Sequence, residues 1–242
     1  HGFLQINDIH PDYFQDTPDG DRSIQNMIRP GQELLVQVTK DPLMKKGAML
    51  TTYISLAGRH LVLMPGNQQK GISRKISDES ERTRLKDLIQ GLEVPEGFGV
   101  IVRTAGLNCN KAMMSRDLRH LLRLWKDVKD KAMQANSPAL IYRERSLAVR
   151  SLRDSFNSEV VEILIDDDRV YHEVRNFLGI ISPKHKKIVR HYRGQKPLFT
   201  KFELESQITS IYDARVQLRS GGSLVIEQTE ALVAVDVNSG KA

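Results

Sequence analysis

The chain has 242 residues, 40% hydrophobic and 27% charged, the proportions of a globular protein with room for one large or two ordinary domains. Thirty-six lysines and arginines against 30 aspartates and glutamates give a formal charge of +6, which suits a polyanionic partner better than a cationic one. A single cysteine, Cys109, excludes an intramolecular disulfide and a CxxC zinc site within these residues, and no apolar run approaches the roughly 20 residues of a membrane span.

With no basic-then-apolar leader either, the sequence reads as soluble and cytoplasmic. It begins at His1 rather than a methionine and finishes on AVDVNSGKA directly after a strand-like run, so both ends read as cut. Residues 1–52 are short apolar runs separated by turn signals such as His10-Pro11 and Arg29-Pro30-Gly31, with 33–38 the best strand, a pattern that suits a small β-barrel. Residues 51–55 and 60–64 are expected as strands meeting around Ala57-Gly58-Arg59. Ser77, followed by Asp78, Glu79 and Glu81, starts a predicted helix that runs to Leu92, before Pro95 and Gly97. A strand over 100–102 leads into Arg103-Thr104-Ala105-Gly106. Over 115–134, Leu118, Leu121, Leu122, Trp125 and Val128 recur at helical spacing. Arg116, Arg119, Arg123 and Lys126 share an adjoining face, read as ordinary solvated surface rather than a phosphate track.

Near residue 145 the pattern changes to a βα alternation, with a helix over 146–156, a strand over 160–165, a helix over 168–180 and a strand over 188–192. A helix over 202–212 is followed by short strands at 216–218 and 224–226, around the turn Ser220-Gly221-Gly222, and by a last strand over 231–237. No internal repeat or low-complexity stretch is present.

Several residues carry candidate chemistry. Arg103 and Thr104 follow an apolar strand, where a guanidinium fork and a hydroxyl can both donate to a phosphate, although spacing alone favours a solvated turn. Asp236 and Asn238 alternate on the last strand and project to one face, able to converge on one ion or one water; residues alone favour a strand ending in the turn Asn238-Ser239-Gly240. Asp166 and Asp168 share a face as well, but the plainer role of Asp166-Asp167-Asp168 is to cap the helix that follows. Phe3 and Phe14 are candidates for base stacking and Lys46 for phosphate neutralisation, against the alternative that the phenylalanines are barrel core.

Four ordered stretches, KGAMLTTYISLAGRHLVLMP (46–65), GVIVRTAG (99–106), IVRHYRGQKPLF (188–199) and RSGGSLVIEQTEALVAVDVNSGKA (219–242), resemble the ribonuclease E/G family. The resemblance implies an α+β chain of several subdomains. These are a partial OB-type RNA-binding barrel over 1–52, a 5′-sensor over 53–148, a structural ribonuclease-H-like subdomain over 149–213 and the beginning of a DNase-I-like catalytic subdomain over 214–242. It assigns Arg103 and Thr104 to a 5′-monophosphate sensor completed by Gly58 and Val62, and Phe3, Phe14 and Lys46 to RNA binding. Asp236 becomes a catalytic magnesium ligand and Asn238 its neighbour in the catalytic site. The family's second metal-binding aspartate and its zinc link are expected beyond Ala242.

The implied activity is that of a single-strand-specific, Mg2+-dependent endoribonuclease of RNA decay and of rRNA and tRNA processing, stimulated by a 5′ monophosphate, in a homodimeric or homotetrameric parent. This segment is expected to grip RNA and to cleave poorly or not at all alone. The rival expectation is a non-catalytic RNA-binding module; a metal nuclease centred on Asp166 and Asp168 is a third.

Overall fold

Short strands come first. β1 (Gly2–Leu4), the single-turn helix α1 (Ile24–Met27), β2 (Gln37–Lys40) and β3 (Ala48–Thr51) give a three-stranded sheet in the order β1-β3-β2, with β1 parallel and β2 antiparallel to β3. The computed structural model describes residues 2–15, 24–42, 47–144, 146–157 and 159–240. Among these the first sheet does not close into a barrel. The strand expected over 33–38 pairs only from Gln37, and the one expected over 51–55 stops at Thr51. The reason for the second is local: the Thr51 and Thr52 hydroxyls and the Thr52 N–H all donate to the Asp8 carbonyl, and Thr52 Oγ1 accepts from the His10 N–H at 2.6 Å. These hydroxyls pin the segment at 5–13 and take the backbone out of the ladder.

The chain divides into two units, residues 1–160 with 176–186, and residues 161–175 with 187–242. The larger is built on a second sheet. β4 (Leu56–Ala57), β5 (Leu61–Pro65), β6 (Lys70–Ile72) and β7 (Phe98–Val102) lie in the order β4-β5-β7-β6, antiparallel except for β6 beside β7. β6 went unread in the sequence because Lys70-Gly71-Ile72 is too short and too polar to register as a strand. α2 (Glu79–Gln90) and α3 (Lys111–Gln134) supply the helical layer, and α4 (Leu147–Ser155) follows. The period-2 residues Leu61 and Leu63 of β5 and Val100 and Val102 of β7 are fully buried in one cluster with Leu85, Ile89, Met114, Leu118 and Leu121 from the helices. Each such side chain contributes about 1.5–3 kcal/mol relative to exposure. α2 is capped by Asp78, whose Oδ1 accepts the Glu81 N–H at 2.9 Å, rather than by Ser77. α3 begins four residues earlier than its apolar stripe, because Asn110 accepts the Met113 N–H at 3.0 Å.

The smaller unit pairs β8 (Ile163–Ile165) in parallel with β9 (Val189–His191), joined through the helix α5 (Asp168–Ile181), which begins in this unit. The helix expected over 202–212 is two helices, α6 (Leu198–Lys201) and α7 (Leu204–Ser210). Glu203 between them adopts a left-handed backbone, φ 54°, and Thr200 Oγ1 donates to Glu205 Oε2 across the break. β10 (Arg215–Gln217), β11 (Ser223–Gln228) and β12 (Val233–Asn238) form an antiparallel meander, turned at Gly221 with φ 88°. No helix among the described residues is long and apolar enough to cross a membrane.

Candidate functional site

Because Val100 and Val102 point into the core, Ile101 and Arg103 fall on the opposite face of the second sheet, where Ile101 pairs with Val62 of β5. Arg103 extends that ladder by one step, its N–H donating to the His60 carbonyl at 2.8 Å. Its guanidinium is held at both ends: Nη1 donates to the Gly58 carbonyl at 2.6 Å and Nη2 lies 2.8 Å from Asp154 Oδ1. Thr104, exposed, opens a single 3-10 turn running to Gly106. Gly58, Val62, Arg103 and Thr104, scattered over 47 positions of sequence, therefore meet at one corner of the sheet.

What fixes this corner is a residue the sequence reading did not select. Asp117 is 6% exposed, and its carboxylate accepts the N–H groups of Arg59 at 3.2 Å, His60 at 2.7 Å and Leu61 at 2.9 Å. It clips the β4–β5 turn from α3. The signal was available: an acid at 117 interrupts an apolar face that runs through Met114, Leu118 and Leu121. The clip explains Gly58 too, since a Cβ there would stand 2.5 Å from Asp117 Oδ2. His60 is buried in the same turn, with Nδ1 3.1 Å from the Ala105 carbonyl. Burial pushes its pKa below the ordinary histidine value, against the opposing pull of the Asp117 charge and the Ala105 carbonyl.

Charged side chains surround the turn. Arg59 Nη2 donates to the Phe156 carbonyl at 2.6 Å and its guanidinium stacks 5.1 Å from the Phe156 ring centre, leaving Nε and Nη1 buried without hydrogen-bond partners. Burial lowers its pKa despite the neighbouring Asp117 charge. Arg153 donates to the Ala57 carbonyl at 3.2 Å, pairs with Glu144, and places Nε 3.0 Å from Asp154 Oδ1. Burial alone would raise the Asp154 pKa, but hydrogen bonds from Arg153 and Arg103 and their charges hold the carboxyl below its usual range.

The remaining candidates are spread along the chain. Phe3 is 56% exposed, as a stacking residue requires and a barrel-core residue does not; Phe14 is half-buried, and Lys46 lies outside the described residues. Arg116, Arg119, Arg123 and Lys126 are exposed on α3, as expected of a solvated face. On β12, Asp236 and Asn238 do share a face, with Asn238 Nδ2 donating to Asp236 Oδ2 at 3.0 Å, and every residue of the strand is exposed. Asp236 offers one hard oxygen donor. No cluster of three or more histidine, cysteine or acidic residues that could hold a metal occurs among the described residues. The Asp166–Asp168 run behaves as a cap, Asp167 Oδ1 accepting the Val170 N–H at 2.8 Å while Asp168 lies 3.4 Å from His191 Nε2.

Residues 55–242, which hold both the Arg103 corner and the Asp236 strand, match the model of the Ribonuclease E/G family. The chain belongs to the ribonuclease E/G family. It is 41% identical over 245 residues to ribonuclease E of Haemophilus influenzae, covering all of this chain and 26% of that protein. It is 42% identical over 246 residues to ribonuclease E of Escherichia coli K12, covering all of this chain and 23% of that protein. With ribonuclease G of the same strain it shares 39% identity over 219 residues, 90% of this chain and 45% of the relative. This ribonuclease E/G chain thus spans about a quarter of the length of those two ribonuclease E relatives.

Proposed function

We propose that this chain is the RNA-gripping part of a single-strand-specific, Mg2+-dependent endoribonuclease of RNA decay and of rRNA and tRNA processing, and that the Arg103 corner recognises a 5′ monophosphate. The observation that carries the reading is the placement of Arg103 and Thr104 together on a rigid sheet end, beside the backbone of Gly58 and the side of Val62. A guanidinium and a hydroxyl are the donors a terminal phosphate needs. Their support is pre-set by the three hydrogen bonds into Asp117, so little ordering is required on binding. A triphosphate brings extra charge and bulk that so small a donor set leaves unpaired, and a hydroxyl end brings no charge at all, which gives selectivity for the monophosphate.

The first sheet is the OB-type part of this proposal, with exposed Phe3 as a platform for bases, Phe14 as a second stacking residue, and Lys46 as a phosphate contact. Residues 53–148 are the 5′ sensor, 149–213 the ribonuclease-H-like part and 214–242 the start of the catalytic part. There Asp236 is one magnesium ligand, and the adjacent Asn238 orients it. The relatives named ribonucleases support the nuclease reading. The parent is proposed to act in the cytoplasm as a homodimer or homotetramer.

The test uses the full-length protein with fluorescent single-stranded oligonucleotides bearing a 5′ monophosphate, triphosphate or hydroxyl. The monophosphate is expected to bind tightest and to be cleaved fastest with magnesium, and Arg103→Ala to level the three. Equal affinities in the unaltered protein overturn the sensor reading. RNA binding with no magnesium-dependent cleavage leaves the non-catalytic binding module in its place.

A further inference from the structure

Arg103 does not wait with an open fork. One of its two terminal nitrogens is engaged by the Asp154 carboxylate at 2.8 Å, an anionic oxygen acceptor for which a phosphate oxygen can substitute. Asp154 is 41% exposed, at the C-terminal end of α4, so a ligand can reach the contact from solvent. Asp154 is bonded at the same time to a second cation: Arg153 Nε lies 3.0 Å and Nη2 3.4 Å from its two oxygens. Arg153 is anchored independently, through the Ala57 carbonyl and Glu144. A carboxylate displaced from Arg103 therefore remains paired, and Arg103 remains held by Gly58.

We infer that Asp154 sets the specificity of the pocket as a resident anion that an incoming 5′ phosphate must displace from Arg103, Asp154 keeping its bonds to Arg153 as it leaves. The inference rests on the reading of Arg103 as the 5′-phosphate anchor. The chemistry follows from exchange of one anion for another. A doubly charged terminal phosphate compensates Arg103 for the lost carboxylate, whereas chloride or a metabolite carboxylate gains little over the partner already present. The seat thus stays closed to weak anions, and a 5′ hydroxyl, which needs no cation, leaves the Arg103–Asp154 pair intact.

The measurement is binding of 5′-monophosphate and 5′-hydroxyl oligonucleotides to the full-length protein in EDTA, which prevents cleavage, with inorganic phosphate as competitor. Asp154→Asn is expected to tighten monophosphate binding roughly threefold to fivefold, the scale of a solvent-accessible ion pair, and to leave hydroxyl binding unchanged. Inorganic phosphate should compete at correspondingly lower concentration. Asp154→Glu, which keeps the charge, should stay within about twofold of the unaltered protein, and urea denaturation of both variants guards against a folding defect. Monophosphate binding that is unchanged or weakened in a folded Asp154→Asn variant overturns the inference while leaving Arg103 as the anchor. No preference for the monophosphate in the unaltered protein removes the anchor and the inference together.

Discussion

The two regions that carry the candidate chemistry are built in opposite ways. The Arg103 corner stands on a four-stranded sheet whose other face is sealed by α2 and α3, and each of its backbone turns is tied by a buried group, Asp117 above all. Among the described residues the Asp236 strand has no such support: all six residues of β12 are exposed, Val233, Val235 and Val237 on one face and Asp236 and Asn238 on the other. The Arg103 corner is pre-organised by its own unit, while the acidic strand presents its groups without a packed surround among the described residues. Substitutions of the buried supports Asp117 and Gly58 should therefore act through stability at the first site, whereas those of Arg103 and of the residues of the second should act through chemistry.

The sharpest separation is expected from Asp236→Ala. In the full-length protein magnesium-dependent cleavage should fall on the order of a hundredfold or more, as loss of a metal ligand costs several kcal/mol of transition-state stabilisation. The urea midpoint of this 242-residue chain should hardly move, since within it the side chain is exposed and bonded only to Asn238 among the described contacts. A large stability loss would break the contrast between the two regions. Next in size is Asp117→Ala, which strands three backbone N–H groups in the core and should cost about 3 kcal/mol by denaturation. Monophosphate preference should vanish with it. Gly58→Ala comes third, at about 1–3 kcal/mol, because the new methyl must push Asp117 aside. Arg103→Ala should abolish the monophosphate preference yet shift stability by under about 1 kcal/mol, its ion pair being partly solvated.

The smallest effect is a pH dependence. His60 has a folded pKa depressed by burial, so as pH falls below roughly 6.5 the unfolded chain takes up a proton that the folded chain resists. Stability should decline across that window, down to the lowered folded value, and level off beneath it. Denaturation of a His60→Gln variant should show a flatter profile between pH 7 and pH 5.

Sequence pattern made the large elements legible. The 3.6-residue stripe of α3 and the alternation of β5 and β7 announce themselves because burial enforces them. β6 did not, since a parallel edge strand of three residues depends on a long-range partner that no local window contains. The break between α6 and α7 was equally hidden, resting on the backbone angle of one glutamate. At the site, Arg103 and Gly58 were named from family likeness, but Asp117 and Asp154 were passed over. Their roles come from contacts 56 to 58 and 51 positions away, to the β4–β5 turn and to Arg103, and only folding reveals such distances.

Cys109 has a practical consequence. Its thiol is 3% exposed, donates to the Gly106 carbonyl at 2.8 Å, and is pushed up to about 11 by burial. Lying three residues past the turn that Thr104 opens, it is neither accessible nor ionised in the folded sheet, so alkylating reagents should leave Cys109 unmodified. Any labelling that occurs then times the opening of the unit that holds Arg103. The slowing of that clock by monophosphorylated RNA would report occupancy from inside the core, without a probe on the ligand.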